Sequence, residues 1–147
     1  MNECRRIIEE ISRRASKVQE YILNSNYASL FAPHHLKEAT LAYLKLPKKS
    51  LRPAILMMSC GAVGGDEEKS VPAAAAIELF HTWTLVHDDI IDHDTMRRGA
   101  RTVHEEFRIR AREEFSFQSE KAEDYGRNIA ILAGDLQHGW SNAILTD

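Results

Sequence analysis

The sequence is short of the features that disulfide-rich, zinc-binding, membrane-spanning and nucleic-acid-binding proteins need. Its 147 residues hold two cysteines, Cys4 and Cys60, with no metal-ligand spacing around them. That excludes a disulfide framework and a zinc site and leaves two idle or buried thiols. No apolar run approaches the roughly 20 residues of a membrane span. The stretch from Met1 to Glu10 is charged, unlike a signal peptide, so a cytosolic protein is expected. The formal net charge is -3, which gives no bulk attraction for nucleic acid; the basic residues that matter are local. There is no internal repeat, no convincing strand and no evident nucleophile. The length suits one domain, residues 1–147.

What is present is helical periodicity almost throughout, and the expected class is all-α, a helical bundle. Ile7, Ile8, Ile11, Ala15, Val18 and Ile22 recur at three- and four-residue spacing, giving one amphipathic helix that stops near Asn24-Ser25-Asn26. Pro33 suits the first turn of a second helix with Leu36, Leu41 and Leu44 on its apolar side, ended by Pro47. Pro53 opens a third, Ala54 to Ala62, closed by Gly64-Gly65. Ser70 is the expected N-cap of a fourth, with Pro72 in its first turn and a run of alanines from Ala73 to Ala76, continuing to Ile91. A charged stretch follows from His93 to Arg127, and an apolar segment from Asn128 to Leu145 returns to helix, against the pull of Gly134 and Gly139.

The informative stretch runs from His81 to Asp92. At about 100° per residue, Asp88 and Asp92 lie one turn apart on nearly one face, His81 sits two turns before Asp88, and Asp89 points to the side. Like charges at that spacing destabilise a helix by a few tenths of a kcal/mol, and at a C-terminal end the macrodipole opposes them as well. A cation should compensate, and magnesium suits carboxylates that leave positions for water and phosphate. Taken alone, the motif reads more readily as a solvated acidic helix end than as a metal site. Beyond it come Arg97, Arg98, Gly99 and Arg101. Paired guanidinium forks match phosphate oxygens; their other reading is weak surface pairing with the acids. A second basic knot, Lys48-Lys49-Ser-Leu-Arg52-Pro53, stands at a helix start, where cations are misplaced unless an anion binds there; a solvated loop is the alternative. Together the features ask for two phosphate groups, one on magnesium and one on basic side chains, with an apolar groove between.

These residues resemble the all-trans polyprenyl (isoprenyl) diphosphate synthases, of farnesyl or geranylgeranyl diphosphate synthase type. Glu78-Leu-Phe-His81 through Gly99 is similar to their first aspartate-rich region, Lys49-x-x-Arg52-Pro53 to their upstream basic element, and Ala130-Ile-Leu-Ala-Gly-Asp135 to the segment that follows. The resemblance implies the isoprenoid synthase fold and a homodimer. It implies Asp88 and Asp92 as ligands of Mg2+ holding an allylic diphosphate, Asp89 in support, Arg97 on the same diphosphate, and Lys49, Arg52, His81 and Arg98 on isopentenyl diphosphate. The family's reaction breaks the allylic C–O bond and joins the isopentenyl double bond to the cation. It needs charge neutralisation and positioning, and no protein nucleophile. A bulky residue just before the first aspartate limits chain growth in the family. Trp83 takes that place, although a helical wheel sets Thr84 more directly beneath Asp88, and core packing is the other reading of Trp83. With Phe80 nearby, a short product is expected.

There are departures. The family's second aspartate-rich motif has no counterpart here and its members are roughly twice as long, so the chain is expected to be an N-terminal portion with little activity alone. Residues Phe107 to Tyr125 form a charged stretch longer than usual: a lid, a short helix, a partner surface or, as expected, a solvated loop. Arg101 stands where the family has Pro, which should loosen the segment after Gly99. Besides an enzyme, two further readings stand: a non-catalytic subunit that regulates a complete synthase, and a helical domain that has lost its ligand.

Overall fold

A computed structural model describes residues 3–146. It is an all-α bundle, as the periodicity requires. Helix α1 spans Glu3–Leu23, and a short α2, Asn26–Leu30, follows after Ser25 caps it by accepting from the Tyr27 N–H. Helix α3 is His34–Ala42 with Pro33 at its N-cap, and a single 3-10 turn, Tyr43–Lys45, brings it to a close before Pro47. Helix α4, Leu51–Ala62, starts two residues ahead of Pro53, whose missing N–H falls harmlessly in the first turn. Gly64 at φ 83 ends it. Helix α5 is Val71–Ile91, α6 Val103–Phe115 and α7 Ser119–Thr146.

The alanines of α5 let its neighbours approach closely. Ala74, Ala75, Ala76 and Leu79 are wholly or almost wholly buried, in a core shared with Val18, Ile22, Leu44, Met57 and Trp140. A second core, nearer the C-terminal half of α5, joins Ala39, Tyr43, Val86, Val103, Phe107, Ile129, Ala130 and Ala133. Polar ties cross the same seams: Ser141 Oγ donates to the Ala76 carbonyl at 2.9 Å, and Gln137 Nε2 to the Thr40 carbonyl at 2.7 Å.

Four expectations need correction. The apolar stripe of α1 is sunk only in its second half: Val18 and Ile22 are 1% exposed, whereas Ile7 and Ile8 are 54% and 63% exposed. Ser70 does not cap α5 with its side chain; it closes a preceding 3-10 turn and its Oγ donates to the Glu67 carbonyl at 2.7 Å. The charged stretch Phe107 to Tyr125 is not a loop. It is the end of α6, a turn at Ser116 and the first turns of α7. The charges that suggested a loop are the solvent face of helices, paired at helical spacing as Arg108–Glu105 (2.6 Å) and Arg110–Glu114 (2.7 Å). Phe107 and Ala111 turn inward, and buried His35 ties α3 to both elements through Glu114 Oε2 (2.9 Å) and Tyr125 Oη (2.8 Å). Lastly, a two-residue antiparallel ladder is present, Met96–Arg97 against Ala100–Arg101. With Thr102 N–H donating to the Thr95 carbonyl at 3.1 Å, the segment holding Arg101 is a hydrogen-bonded hairpin rather than a loosened strand.

Gly126 sits where α7 crosses α6. An added Cβ would come within 2.2 Å of the His104 carbonyl oxygen and 2.7 Å of the Arg108 nitrogen. Backbone of a packed helix cannot step aside as a side chain can. Gly126→Ala should therefore lose about 1–3 kcal/mol to overpacking, more than the roughly 1 kcal/mol that alanine gains in helix propensity. Urea unfolding checks this; an unchanged slope with a raised midpoint contradicts it.

Candidate functional site

The C-terminal half of α5 sorts its three aspartates by one helical step. Asp88 and Asp92 are exposed, and the Asp92 N–H donates to the Asp88 carbonyl at 2.8 Å, so the helical turn between them is intact. Neither has an ion-pair partner among the described residues. Asp89 points the other way and is 1% exposed. Its carboxylate accepts from Arg97 Nε at 2.7 and 2.8 Å, from Arg97 Nη2, and from the Tyr43 hydroxyl. The same hydroxyl oxygen accepts from the Val103 N–H at 3.3 Å. Burial, followed by the carboxylate hydrogen bond, pushes the Tyr43 phenol up, so it stays a donor. The Asp89 hydrogen bond likewise raises Arg97.

This node fixes the hairpin that follows α5. Its two turn residues, Arg98 (φ 52) and Gly99 (φ 82), both lie in the left-handed region that a two-residue hairpin loop demands. Glycine meets this freely; for Arg98 it costs about 1 kcal/mol. The turn carries Arg98 not to Asp89 but to the start of α4. There it lines a pocket of about 500 Å³ with Lys49, Arg52 and His81, floored by Glu78 and the Pro47–Leu51 loop. All four basic residues named from the sequence thus converge. Burial first, then the Arg52 charge, holds the His81 imidazole below its ordinary value of 6.5.

Lys48 behaves otherwise. Its ammonium, 6% exposed, lies 2.8 Å from the Glu78 carboxylate, 5% exposed, in an ionic contact rather than an aligned hydrogen bond. Glu78 also accepts from Ser50 Oγ at 3.1 Å, and Ser50 has a left-handed φ of 42. One buried acid therefore folds the basic loop across α5.

On a further side of α5, Trp83 stands in an aromatic cluster. Its ring lies 4.6 Å from His138 of α7 at 33°, and 4.9 Å from Phe80 edge-on. Phe80 is 45% exposed. The Thr84 hydroxyl is turned back onto its own helix, donating to the His81 carbonyl at 2.8 Å, so Thr84 offers a methyl group rather than a polar one.

The family model described as polyprenyl synthetase matches residues 33–147. The chain belongs to the polyprenyl synthetase family. It is 47% identical over 140 residues to the geranylgeranyl pyrophosphate synthase of Geoglobus acetivorans, covering 95% of this chain and 38% of that protein. It is 41% identical over 103 residues to the geranylgeranyl diphosphate synthase of Saccharolobus solfataricus, covering 70% and 26%. Among solved structures, the Pyrococcus horikoshii geranylgeranyl pyrophosphate synthetase superposes with a TM-score of 0.79 at 32% identity, covering 99% of this chain and 38% of that one. The chain thus spans well under half the length of these relatives. The fold is the isoprenoid synthase fold of this family.

Within that family, the residues that the sequence reading missed are those acting from a distance. Tyr43, Glu78 and His138 each support a named site residue from another element or another turn. Tyr43 and His138 carry no local signal; Glu78 was visible as an acid one turn before His81 on an otherwise apolar helix. No helix is long and apolar enough to cross a membrane among the described residues. Nor do three metal-ligating side chains converge there; the donor chemistry of the two exposed carboxylates, Asp88 and Asp92, is that of a hard cation taking its other ligands from water and phosphate.

Two predictions follow from the geometry. Asp89→Ala should cost about 2–3 kcal/mol by stranding Arg97, less than the 3–5 of a fully buried pair because Arg97 keeps 23% exposure. Asp88→Ala should be neutral or stabilising by a few tenths of a kcal/mol, since it removes a like charge at i,i+4 and at a helix C-terminus. Denaturant titration of both separates a supporting acid from a ligand. For pH, the sign follows from His81 lying below its unfolded value: in that interval the unfolded chain holds more protons, so stability falls on acidification. Half-buried His104 shifts the same way, again chiefly through burial. Inorganic diphosphate in the pocket should favour His81 protonated and shrink the acid loss, seen as a smaller fall in Tm between about pH 7.5 and 5.5. In His81→Gln the ligand should no longer change that slope.

Proposed function

We propose that this chain supplies the first acidic wall and the isopentenyl diphosphate pocket of a synthase that condenses isopentenyl diphosphate with an allylic diphosphate. The product would be a trans-prenyl diphosphate of farnesyl or geranylgeranyl length. One observation carries the reading: α5 holds two unpaired carboxylates at its end and, beside them, a pocket lined by Lys49, Arg52, Arg98 and the His81 imidazole, with an aromatic cluster one to two turns below. Two anion-binding chemistries so close together suit two diphosphates. The geranylgeranyl diphosphate synthases among the relatives support the product length.

Asp88 and Asp92 would hold Mg2+. Bound there, it supplies the positive charge that lets an allylic diphosphate leave. Arg97 keeps one edge of its guanidinium on Asp89, and its Nη1 makes no hydrogen bond among the described residues; that edge would touch the same diphosphate. Lys49, Arg52, His81 and Arg98 would bind the second diphosphate and so orient the isopentenyl double bond toward the allylic carbon. Phe80, Trp83 and His138 would enclose the growing tail and limit it. The apolar side chains Ile55, Met58, Ile131 and Leu132, all exposed, leave surface for further helices or for the second subunit of a homodimer.

The test is thermal unfolding with magnesium and geranyl diphosphate. At a ligand concentration about 100-fold above Kd the chain gains about 2.7 kcal/mol, a Tm rise of several degrees. The rise should vanish in Asp88→Ala and Asp92→Ala and with a chelator. A parent chain that does not shift removes the site and leaves the fold. A regulatory subunit would instead show no shift alone and would change the product of a complete synthase mixed with it.

A further inference from the structure

His87, next to Asp88 in the sequence, is not among the residues to which the site reading gives a role, yet its ring is held at both nitrogens. Nδ1 accepts from the Trp83 indole Nε1–H at 3.1 Å, one turn earlier on α5. Nε2 lies 3.2 Å from the Ile131 carbonyl of α7, to which only an N–H can bond. The two contacts fix one tautomer, with the proton on Nε2 and the acceptor facing Trp83. The ring also fits a space made by α7: a Cβ at Gly134 would come within 2.3 Å of His87 Nε2 and 2.6 Å of its Cδ2, and 3.1 Å from Trp83 Cδ1. A glycine is thus needed at this point of an otherwise regular helix.

The other contacts of the Trp83 indole are non-directional packing against rings and the Gly134 backbone. Its neighbours Phe80 and His138 offer ring faces and edges, which tolerate rotation, and Phe80 is itself 45% exposed. Among the described residues, the indole's one hydrogen bond is that to His87.

We propose that His87 is a positioning residue for product length: seated on Gly134 and pinned to the Ile131 carbonyl, it holds the Trp83 indole across the groove, and so decides how long a prenyl tail fits. The inference rests on the prenyltransferase reading above. Trp83 is the wall; His87 is the latch that sets its angle from the side away from the tail.

The experiment has two readouts on the chain itself. The sequence has two tryptophans, so a nitrogen–proton correlation spectrum shows two indole signals, and Trp83→Phe assigns them. Trp140, buried and remote from the latch, serves as the internal reference for an intact fold. In His87→Ala the Trp83 indole proton should exchange with solvent roughly tenfold faster, the ratio that one hydrogen bond of ordinary net strength supports, while the Trp140 signal stays in place. His87→Asn, which keeps an acceptor near the position of Nδ1, should restore most of the protection. Gly134→Ala, which keeps the histidine but takes its seat, should behave like His87→Ala. The second readout is binding of geranyl against geranylgeranyl diphosphate in magnesium. His87→Ala should shift that preference several-fold toward the longer tail and leave inorganic diphosphate binding as in the parent chain.

Unchanged indole exchange in His87→Ala overturns the inference, and so does faster exchange with an unchanged preference between the two tails. A parent chain that binds neither prenyl ligand overturns the prenyltransferase reading and the inference with it, so the two failures are told apart.

Discussion

A carboxylate that is 1% exposed at the end of a helix needs its charge answered, and Asp89 is answered twice, by the Arg97 guanidinium and the Tyr43 hydroxyl. Everything that makes the end of α5 a site depends on this node. The pair draws the chain after Asp92 back against the helix, and the hairpin that results forces its two turn residues into the left-handed region. Arg98 is thereby carried round to Lys49, Arg52 and His81. Tyr43 extends the constraint to the start of α6 through the Val103 N–H. A buried pair of this kind contributes little net stability against well-packed apolar residues. What it supplies is a fixed geometry, with one acid satisfied inside so that its neighbours Asp88 and Asp92 remain unsatisfied outside.

The basic pocket is the complementary case. Three full positive charges and an imidazole face one space, and the depressed His81 records the strain of that crowding as well as its burial. The protein does not relieve it with a nearby acid for Lys49, Arg52 or Arg98. The buried acid that lines it, Glu78, goes to Lys48 and Ser50 instead, which fixes the loop's shape and leaves Lys49, Arg52 and Arg98 without an ion-pair partner among the described residues. Such unrelieved charge lowers stability and is retained where an anion is to be bound, the usual trade between stability and activity. Both halves of the candidate site follow one rule: compensation goes to the groups that position, while Asp88, Asp92, Lys49, Arg52 and Arg98 are exposed and have no ion-pair partner among the described residues.

How far this was legible in the sequence differs by residue for physical reasons. The face shared by Asp88, Asp92 and His81 is a matter of helical period, and the order of Lys49, Arg52, Arg97 and Arg98 along the chain is directly visible. Only the family resemblance set Arg97 and Arg98 apart; no local pattern in the residues does. Arg97 and Arg98 are adjacent and chemically identical, and only the left-handed turn sends one to Asp89 and the other to the pocket. The burial of Asp89 was half legible: the wheel turned it aside, but its partner Tyr43 lies 46 residues away, beyond any local pattern. The stretch Phe107 to Tyr125 was misread because charged residues dominate its composition. The cue was the spacing of those charges, with Glu105 and Arg108, and then Arg110 and Glu114, on helical neighbours around the inward pair Phe107 and Ala111. His35, which holds that stretch to α3, again acts across a sequence distance that hides it.

Small residues explain why α5 can be a structural and a functional helix at once. Its first half presents Ala74, Ala75 and Ala76 to the core, so neighbouring helices pack against it closely with little side-chain volume. On α7 the small residues Gly126, Ala130, Ala133 and Gly134 do the same along one face. Close approach at these points lets large side chains be reserved for the other end: Phe80 and Trp83 on α5 meet His138 on α7 as rings rather than as aliphatic filler, with His87 against Trp83. Gly134 shows the logic at a single residue. In an isolated helix it would be a defect of roughly 1 kcal/mol relative to alanine; here an alanine methyl would occupy the space of the His87 ring. The helix accepts a weaker backbone at that turn so that an imidazole can stand between two helices with both nitrogens bonded, and the orientation of the neighbouring indole follows from it.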